Sequence, residues 1–162
     1  MTFKAAAAGL DLGGGKAVLC SDGELTYGRR RELMLDLGDV VESLGGRYIT
    51  AEDVGTGTED MAAIRERTSP VAGLPVALGG SGDPSPVTAR GVEAAIRACC
   101  ERRFGSRELS GRRVCVVGLG HVGTPLAERL LAADAEVIAT DIDAGKRRLA
   151  ARLGTAWTDP GS

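Results

Sequence analysis

The stretch Val114-Cys115-Val116-Val117-Gly118-Leu119-Gly120-His121-Val122-Gly123 constrains this chain more than any other. An apolar run enters a Gly-x-Gly-x-x-Gly turn, and Val122, Leu126 and Leu130 then fall on one face of a helix over residues 122–133. In such a turn the first glycine permits the tight bend, the second lets backbone approach a pyrophosphate, and the third lets helix pack on strand. Free N–H groups and the helix dipole would attract the phosphates to the helix N-terminus. Residues 137–140 read as a second strand, and Asp141 lies 23 residues beyond Gly118. An acid there suits the ribose hydroxyls of NAD and repels the extra phosphate of NADP. The candidate cofactor-binding residues are therefore Gly118, Leu119, Gly120, His121, Val122, Gly123, Thr124 and Asp141, with NAD the expected cofactor. His121, inside the loop, reads as a helix-start residue near the phosphates. The same pattern without a ligand would be only a tight strand–helix turn.

Composition excludes several classes. The 162 residues carry 20 Lys+Arg against 22 Asp+Glu, a formal charge of −2, so no excess of cations exists to neutralise nucleic acid or an anionic membrane surface. The longest apolar stretch, residues 114–120, falls far short of the ~20 residues of a spanning helix. Residues 5–10 look briefly like a signal core, but Asp11 interrupts them and no basic run precedes them. A cytoplasmic protein is expected. Cys20, Cys99, Cys100 and Cys115 form no Cys-x-x-Cys pair and His121 is the one histidine, so no metal is expected and the cysteines read as buried, reduced thiols.

The pattern of elements is α/β. Residues 17–20 form a short apolar run, read as a buried strand. Leu33, Leu37, Val40, Val41 and Leu44 share a helical face over residues 29–44, which Gly45-Gly46 stops. Residues 47–50 are short and β-prone. Residues 69–86 hold four of the six prolines, together with Gly79, Gly80 and Gly82, the mark of a domain junction. Ser85 is expected to cap the next helix with Pro86 at its first position, and Val87, Val92, Ala95, Ile96, Cys99, Cys100 and Phe104 to supply its apolar face. A last helix begins over 146–153. The domains are placed at 1–80 and 81–162.

Gly13-Gly14-Gly15-Lys16 fails as a phosphate-cradling P-loop, since position 10 is Leu and position 17 is Ala. Its glycine-flanked lysine fits either an amine held in a poorly solvated place, able to act as a base, or a solvated surface lysine.

Met1-Thr2-Phe3-Lys4 through Gly13-Gly14-Gly15-Lys16 resembles the lysine loop of the glutamate/leucine/phenylalanine/valine dehydrogenases. Gly46-Arg47-Tyr48-Ile49-Thr50-Ala51-Glu52-Asp53-Val54-Gly55-Thr56 is similar to their second active-site segment, closest to leucine and valine dehydrogenases. Gly82-Asp83-Pro84-Ser85-Pro86-Val87-Thr88-Ala89 is similar to their domain junction, and the glycine loop follows in order. The resemblance implies the end of an α/β substrate domain followed by the first βαβ unit of a Rossmann NAD-binding domain. It implies Lys16 as catalytic base, Asp53 as its acid partner, Lys4 on the substrate α-carboxylate, Thr88 at the nicotinamide end and Ala51 beside the substrate side chain. The implied reaction is reversible NAD-dependent oxidative deamination of a branched-chain L-amino acid to a 2-oxo acid and ammonia, in a homo-oligomeric parent. Asp83, His121 and Gly23 depart from the family's common Asn, Asn and Pro. The chain is also short for the family, so a fragment is expected, and a truncated, non-catalytic NAD-binding or oligomerisation module is the competing expectation.

Overall fold

The computed structural model describes residues 1–161. The chain divides into two compact units, Met1–Asp83 and the part from Pro84 onward. The first is a helical segment, and the second is a Rossmann-like layer of parallel strands and helices.

The first unit contains α1 (Thr2–Ala7), α2 (Tyr27–Ser43) and α3 (Thr58–Arg65). Thr26 caps α2 by accepting the Arg29 N–H on its hydroxyl, and Gly45 and Gly46, both at positive φ, take the chain out of the helix. Glu59 and Asp60 lie in the first turn of α3, where the helix dipole favours acids. Asp60 also reaches back to accept the Gly57 N–H at 2.8 Å. Met34, Met61, Ala63 and Ile64 form the core between α2 and α3, with Leu33 and Leu37 packed beside them. The two helices approach closely at Gly38, where a Cβ would stand 2.7 Å from the Arg67 Cβ and 3.0 Å from the Ile64 carbonyl oxygen.

Two expected strands of this unit do not form. Residues 17–20 are irregular and exposed, Val18 at 76%. In the 47–50 segment only Thr50 pairs, in an isolated parallel bridge with Val71. A short apolar run becomes a strand only when a neighbour takes its N–H and C=O groups, and no such neighbour lies beside residues 17–20 among the described residues. Helix α3 has a local signal that went unused: acids at 59 and 60 ahead of Met61 and Ile64, spaced for one face.

The second unit runs α4 (Ser85–Phe104), β1 (Arg113–Val117), α5 (Gly123–Ala132), β2 (Glu136–Thr140), α6 (Arg147–Leu153) and β3 (Ala156–Trp157). The strands lie in the order β1-β2-β3, all parallel, with Val114 opposite Val137 and Val116 opposite Ala139. Val116, Val137 and Ala139 pack in one core with Leu126, Ala127 and Leu130 of α5 and Ala150 of α6. The alternate residues of β1, Cys115 and Val117, are exposed, Val117 at 81%.

Helix α4 corrects two expectations. Pro84 is its N-cap residue, so Ser85 is already helical, and Pro86 stands one position further in. Its buried face is Ser85, Ala89, Glu93 and Cys100, while Val87 and Phe104 are 67% and 52% exposed. Of the expected apolar face, Ile96 and Cys100 do pack on the core, beside Ala89. Glu93 lies buried on the same stripe because it receives Arg97 at 2.8 Å and Arg129 of α5 at 2.6 Å. The thiols are corrected too: only Cys100 is buried, and Cys20, Cys99 and Cys115 are exposed. The two-residue strand β3 was too short to leave a periodic signal.

Burial raises the Glu93 carboxyl, but the hydrogen bonds from Arg97 and Arg129 outweigh it and hold the group below the usual carboxylate range. The depressed value makes Glu93 stabilising above the ordinary glutamate range, and that contribution is lost as the pH falls through the folded-state value. Glu93→Gln is expected to destabilise the protein by about 1–3 kcal/mol at neutral pH. Thermal melts across an acid series should show the difference from wild type shrinking as the pH falls below ~4. A constant difference would remove the carboxylate charge from the account.

Candidate functional site

Residues of the first unit alone line a cavity of about 450 Å³, among them Lys16, Ala51, Asp53, Tyr48, Leu33 and Met34. Glycines explain how the lysine loop reaches it. A Cβ on Gly15 would meet the Tyr48 ring at 2.7 Å, and one on Gly14 would meet the Thr2 backbone nitrogen at 2.5 Å. Both positions exclude a side chain because the loop lies directly on its neighbours. Lys16 Nζ forms an ion pair with Asp53 Oδ2 across 37 residues of sequence, and the two side chains are 56% and 59% exposed. The amine is thus paired and half solvated, not held in a dry place, because residues 11–20 carry no covering element.

Asp53 sits at the start of a tight turn. Its backbone N–H donates to Thr56 Oγ1 at 2.9 Å, its carbonyl accepts the Thr56 N–H at 2.9 Å, and its Oδ1 accepts the Val54 N–H at 2.8 Å. That leaves Oδ2 directed to Lys16. Lys4 is exposed on α1 and is not among the residues around the cavity. Two cavity-side residues escaped sequence reasoning, Tyr48 and Arg30, and with Arg30 its partner Asp60. Arg30 and Asp60 are 30 residues apart, a separation that leaves no local pattern.

The second candidate site is the glycine loop of the other unit. Gly118 has φ +93°, the bend that its place after β1 requires. A Cβ on Gly123 would fall 1.8 Å from the Gly118 carbonyl oxygen, so α5 closes on the turn only because that side chain is missing. Gly120, by contrast, meets nothing within 4 Å and is exposed. No side chain caps α5, while Thr124 Oγ1 donates to the Leu119 carbonyl at 3.1 Å and Leu119 is wholly buried. His121 is exposed and Val122, the N-cap residue, is half-buried. Asp141 closes the loop from below: Oδ2 accepts the Leu119 N–H at 2.7 Å and Oδ1 the Asp143 N–H at 2.9 Å. These amide bonds, that of Asp143 foremost, with Lys146 nearby, hold its carboxyl below the usual range. A free helix N-terminus, an open face at Gly120 and an ionised acid fit the phosphates and ribose of a dinucleotide. Thr88 is exposed near the start of α4 and donates its hydroxyl to the Pro84 carbonyl at 3.1 Å. Among the described residues no cluster of His, Cys, Asp or Glu could hold a metal ion, and no helix is long and apolar enough to cross a membrane.

Comparison with known proteins bears on both sites. Residues 1–70 match the dimerisation domain of the Glu/Leu/Phe/Val dehydrogenases. The chain is 47% identical over 143 residues to a leucine dehydrogenase of Thermoactinomyces intermedius, covering 88% of this chain and 38% of that protein. The chain is related to the Glu/Leu/Phe/Val dehydrogenases. A valine dehydrogenase of Streptomyces virginiae is 45% identical over 142 residues, covering 88% of this chain and 39% of the relative. A hetero-hexameric glutamate dehydrogenase from Thermus thermophilus superposes with a TM-score of 0.74 at 27% identity, over 96% of this chain and 43% of that one. The chain therefore spans about two fifths of the length of these relatives. Residues 88–160 match the NAD-binding domain of the D-isomer-specific 2-hydroxyacid dehydrogenases. Dinucleotide-binding units of unlike oxidoreductases share this geometry, so the second match speaks to the nucleotide and not to the substrate.

Gly120 supplies a test that separates folding from binding. Gly120→Ala is expected to leave the melting temperature unchanged, since the added methyl meets open space. It should weaken NAD binding about tenfold or more in calorimetry, by filling the approach of the pyrophosphate. Equal NAD affinity in the two proteins would detach this loop from the cofactor.

Proposed function

We propose that this chain carries the lysine loop, acid segment and nucleotide loop of an NAD-dependent L-amino-acid dehydrogenase of leucine or valine type. The reaction is the reversible oxidative deamination of a branched aliphatic amino acid to its 2-oxo acid and ammonia. The observation that carries this reading is the Lys16–Asp53 ion pair on the wall of a cavity whose other walls include Leu33, Met34 and Ala51. A pocket with an apolar wall and a convergent amine–carboxylate pair suits a small aliphatic substrate with a reacting polar end.

The roles follow from the groups. The bound cofactor supplies the hydride acceptor. Lys16 Nζ and Asp53 Oδ2 share a contact through which a proton can pass, so the amine can take one from an attacking water and the carboxylate can hold it for the departing ammonia. Ala51 leaves room for a branched side chain and Thr88 meets the nicotinamide end, whereas Lys4, given the substrate carboxylate by the family resemblance, is not among the residues lining this cavity and carries no part in it here. Glycines 118, 120 and 123 admit the pyrophosphate, and Asp141 takes the ribose hydroxyls. NAD is the cofactor, and the working protein is a homo-oligomer.

A second reading, a nucleotide-binding module without turnover, is favoured by the exposure of Lys16 and Asp53. The 162-residue chain itself is then expected to bind NAD yet to form little NADH from leucine or valine.

The deciding experiment is NADH formation in a polypeptide long enough to turn over these amino acids. Lys16→Ala should lower kcat about 10²- to 10⁴-fold while leaving the NAD dissociation constant within about twofold. Unchanged turnover would take Lys16 out of the chemistry. Asp141→Ala should move the ratio of NAD to NADP affinity about tenfold towards NADP, and an unmoved ratio would end its assignment to the ribose.

A further inference from the structure

The turn that bears Asp53 is internally bonded but little packed. Its Asp53–Thr56 hydrogen bonds set its shape, yet Val54 is 97% exposed and Gly55 stands at φ +83°. Something else must fix where the turn sits. From α2, Arg30 donates Nη2 to the Gly55 carbonyl at 2.5 Å and to Asp60 Oδ2 at 2.6 Å, and Nε to Asp60 Oδ1 at 2.8 Å. The same Asp60 Oδ2 accepts the Gly57 N–H at 2.8 Å. One guanidinium and one carboxylate thus grip the turn twice, by a carbonyl at 55 and an amide at 57.

We propose that Arg30 and Asp60 are positioning residues that bracket the 53–57 turn and so keep Asp53 Oδ2 on Lys16 Nζ. Helix capping alone does not account for the arrangement. Asp60 by itself caps α3, whereas the Arg30–Gly55 contact does nothing for that helix. The bracket is also better shielded than the pair it serves: the Arg30 and Asp60 side chains are 35% and 12% exposed, against 56% and 59% for Lys16 and Asp53. A planar, bidentate guanidinium–carboxylate contact holds direction as well as distance, which an exposed lysine–aspartate pair does not. Arg30 borders the same cavity, so a shift of the turn would be felt where substrate is placed. The catalytic meaning of the bracket rests on the proposed function, but the positioning itself does not.

The test needs neither substrate nor cofactor. Lysine side chains in the 162-residue chain are acetylated briefly with an N-hydroxysuccinimide ester near neutral pH and quantified peptide by peptide. Asp53→Asn, which removes the partner outright, sets the reference and should raise Lys16 labelling about threefold. Arg30→Gln and Asp60→Asn are expected to raise Lys16 labelling to a similar extent with Lys4 and Lys146 unchanged, and Arg30→Lys to restore part of the protection. Circular dichroism establishes that each variant is folded. If Arg30→Gln is not, Asp60→Asn and Arg30→Lys decide. Wild-type labelling of Lys16 in the folded bracket variants would overturn the proposal, as would an Asp53→Asn variant that labels no faster than wild type. A bracket upheld here beside an enzyme that deaminates no amino acid would refute only the function.

Discussion

Each unit depends on a few places where two pieces of backbone, or backbone and a ring, touch with no side chain between them. Gly38 lets α3 and its following turn lie on α2, Gly15 lets the lysine loop lie on Tyr48, and Gly123 lets α5 close on the carbonyl of Gly118. A methyl group at any of these would stand under 3 Å from fixed atoms, or from an aromatic ring that would have to swing away. Close approach of this kind places the Lys16 amine and the nucleotide turn with little slack, since packed elements shift by steps and do not stretch. Other glycines answer to no such contact: Gly13, Gly28, Gly91 and Gly120 meet nothing within 4 Å and have no positive φ.

The ion pairs divide by environment. Glu93 is buried between Arg97 and Arg129 and joins α4 to α5, so its loss would leave groups unpaired in a part-desolvated contact. The Lys16–Asp53 pair is more than half exposed, and exposed pairs contribute about 0–1 kcal/mol. Stability therefore does not explain why a glycine-flanked amine and a turn-bound carboxylate meet beside an apolar cavity. The chemistry we propose for the pair does, and in the same proposal the part-buried Arg30–Asp60 contact supplies the rigidity that the exposed pair lacks.

Much of the second unit was legible in the sequence. The apolar run before Gly118, the spacing of Val122, Leu126 and Leu130, and Asp141 after the next run all report local geometry, and β1, α5 and β2 stand within a residue or so of the ranges they imply. Helix α2, read over residues 29–44, runs Tyr27–Ser43. The lysine loop and the acid segment were legible as motifs but not as structure: residues 17–20 had the composition of a strand without the partner that makes one. Helix α4 shows the same limit from the other side. Of its expected apolar residues Ile96 and Cys100 face the core while Val87 and Phe104 do not, and Glu93, meeting an arginine 36 positions away, is buried with them.

Periodicity, glycine spacing and capping residues act over a turn or a strand, and so the chain order alone carried the elements of the nucleotide-binding unit and the residue types of both sites. Contacts between residues 30 or more positions apart have no such signature, because nothing local distinguishes an arginine that will find a distant carboxylate from one that will stay in water. The folded chain alone decided that Lys16 meets Asp53 in partial solvent, that Asp141 braces the loop it follows, and that Arg30 reaches across to the turn carrying the acid.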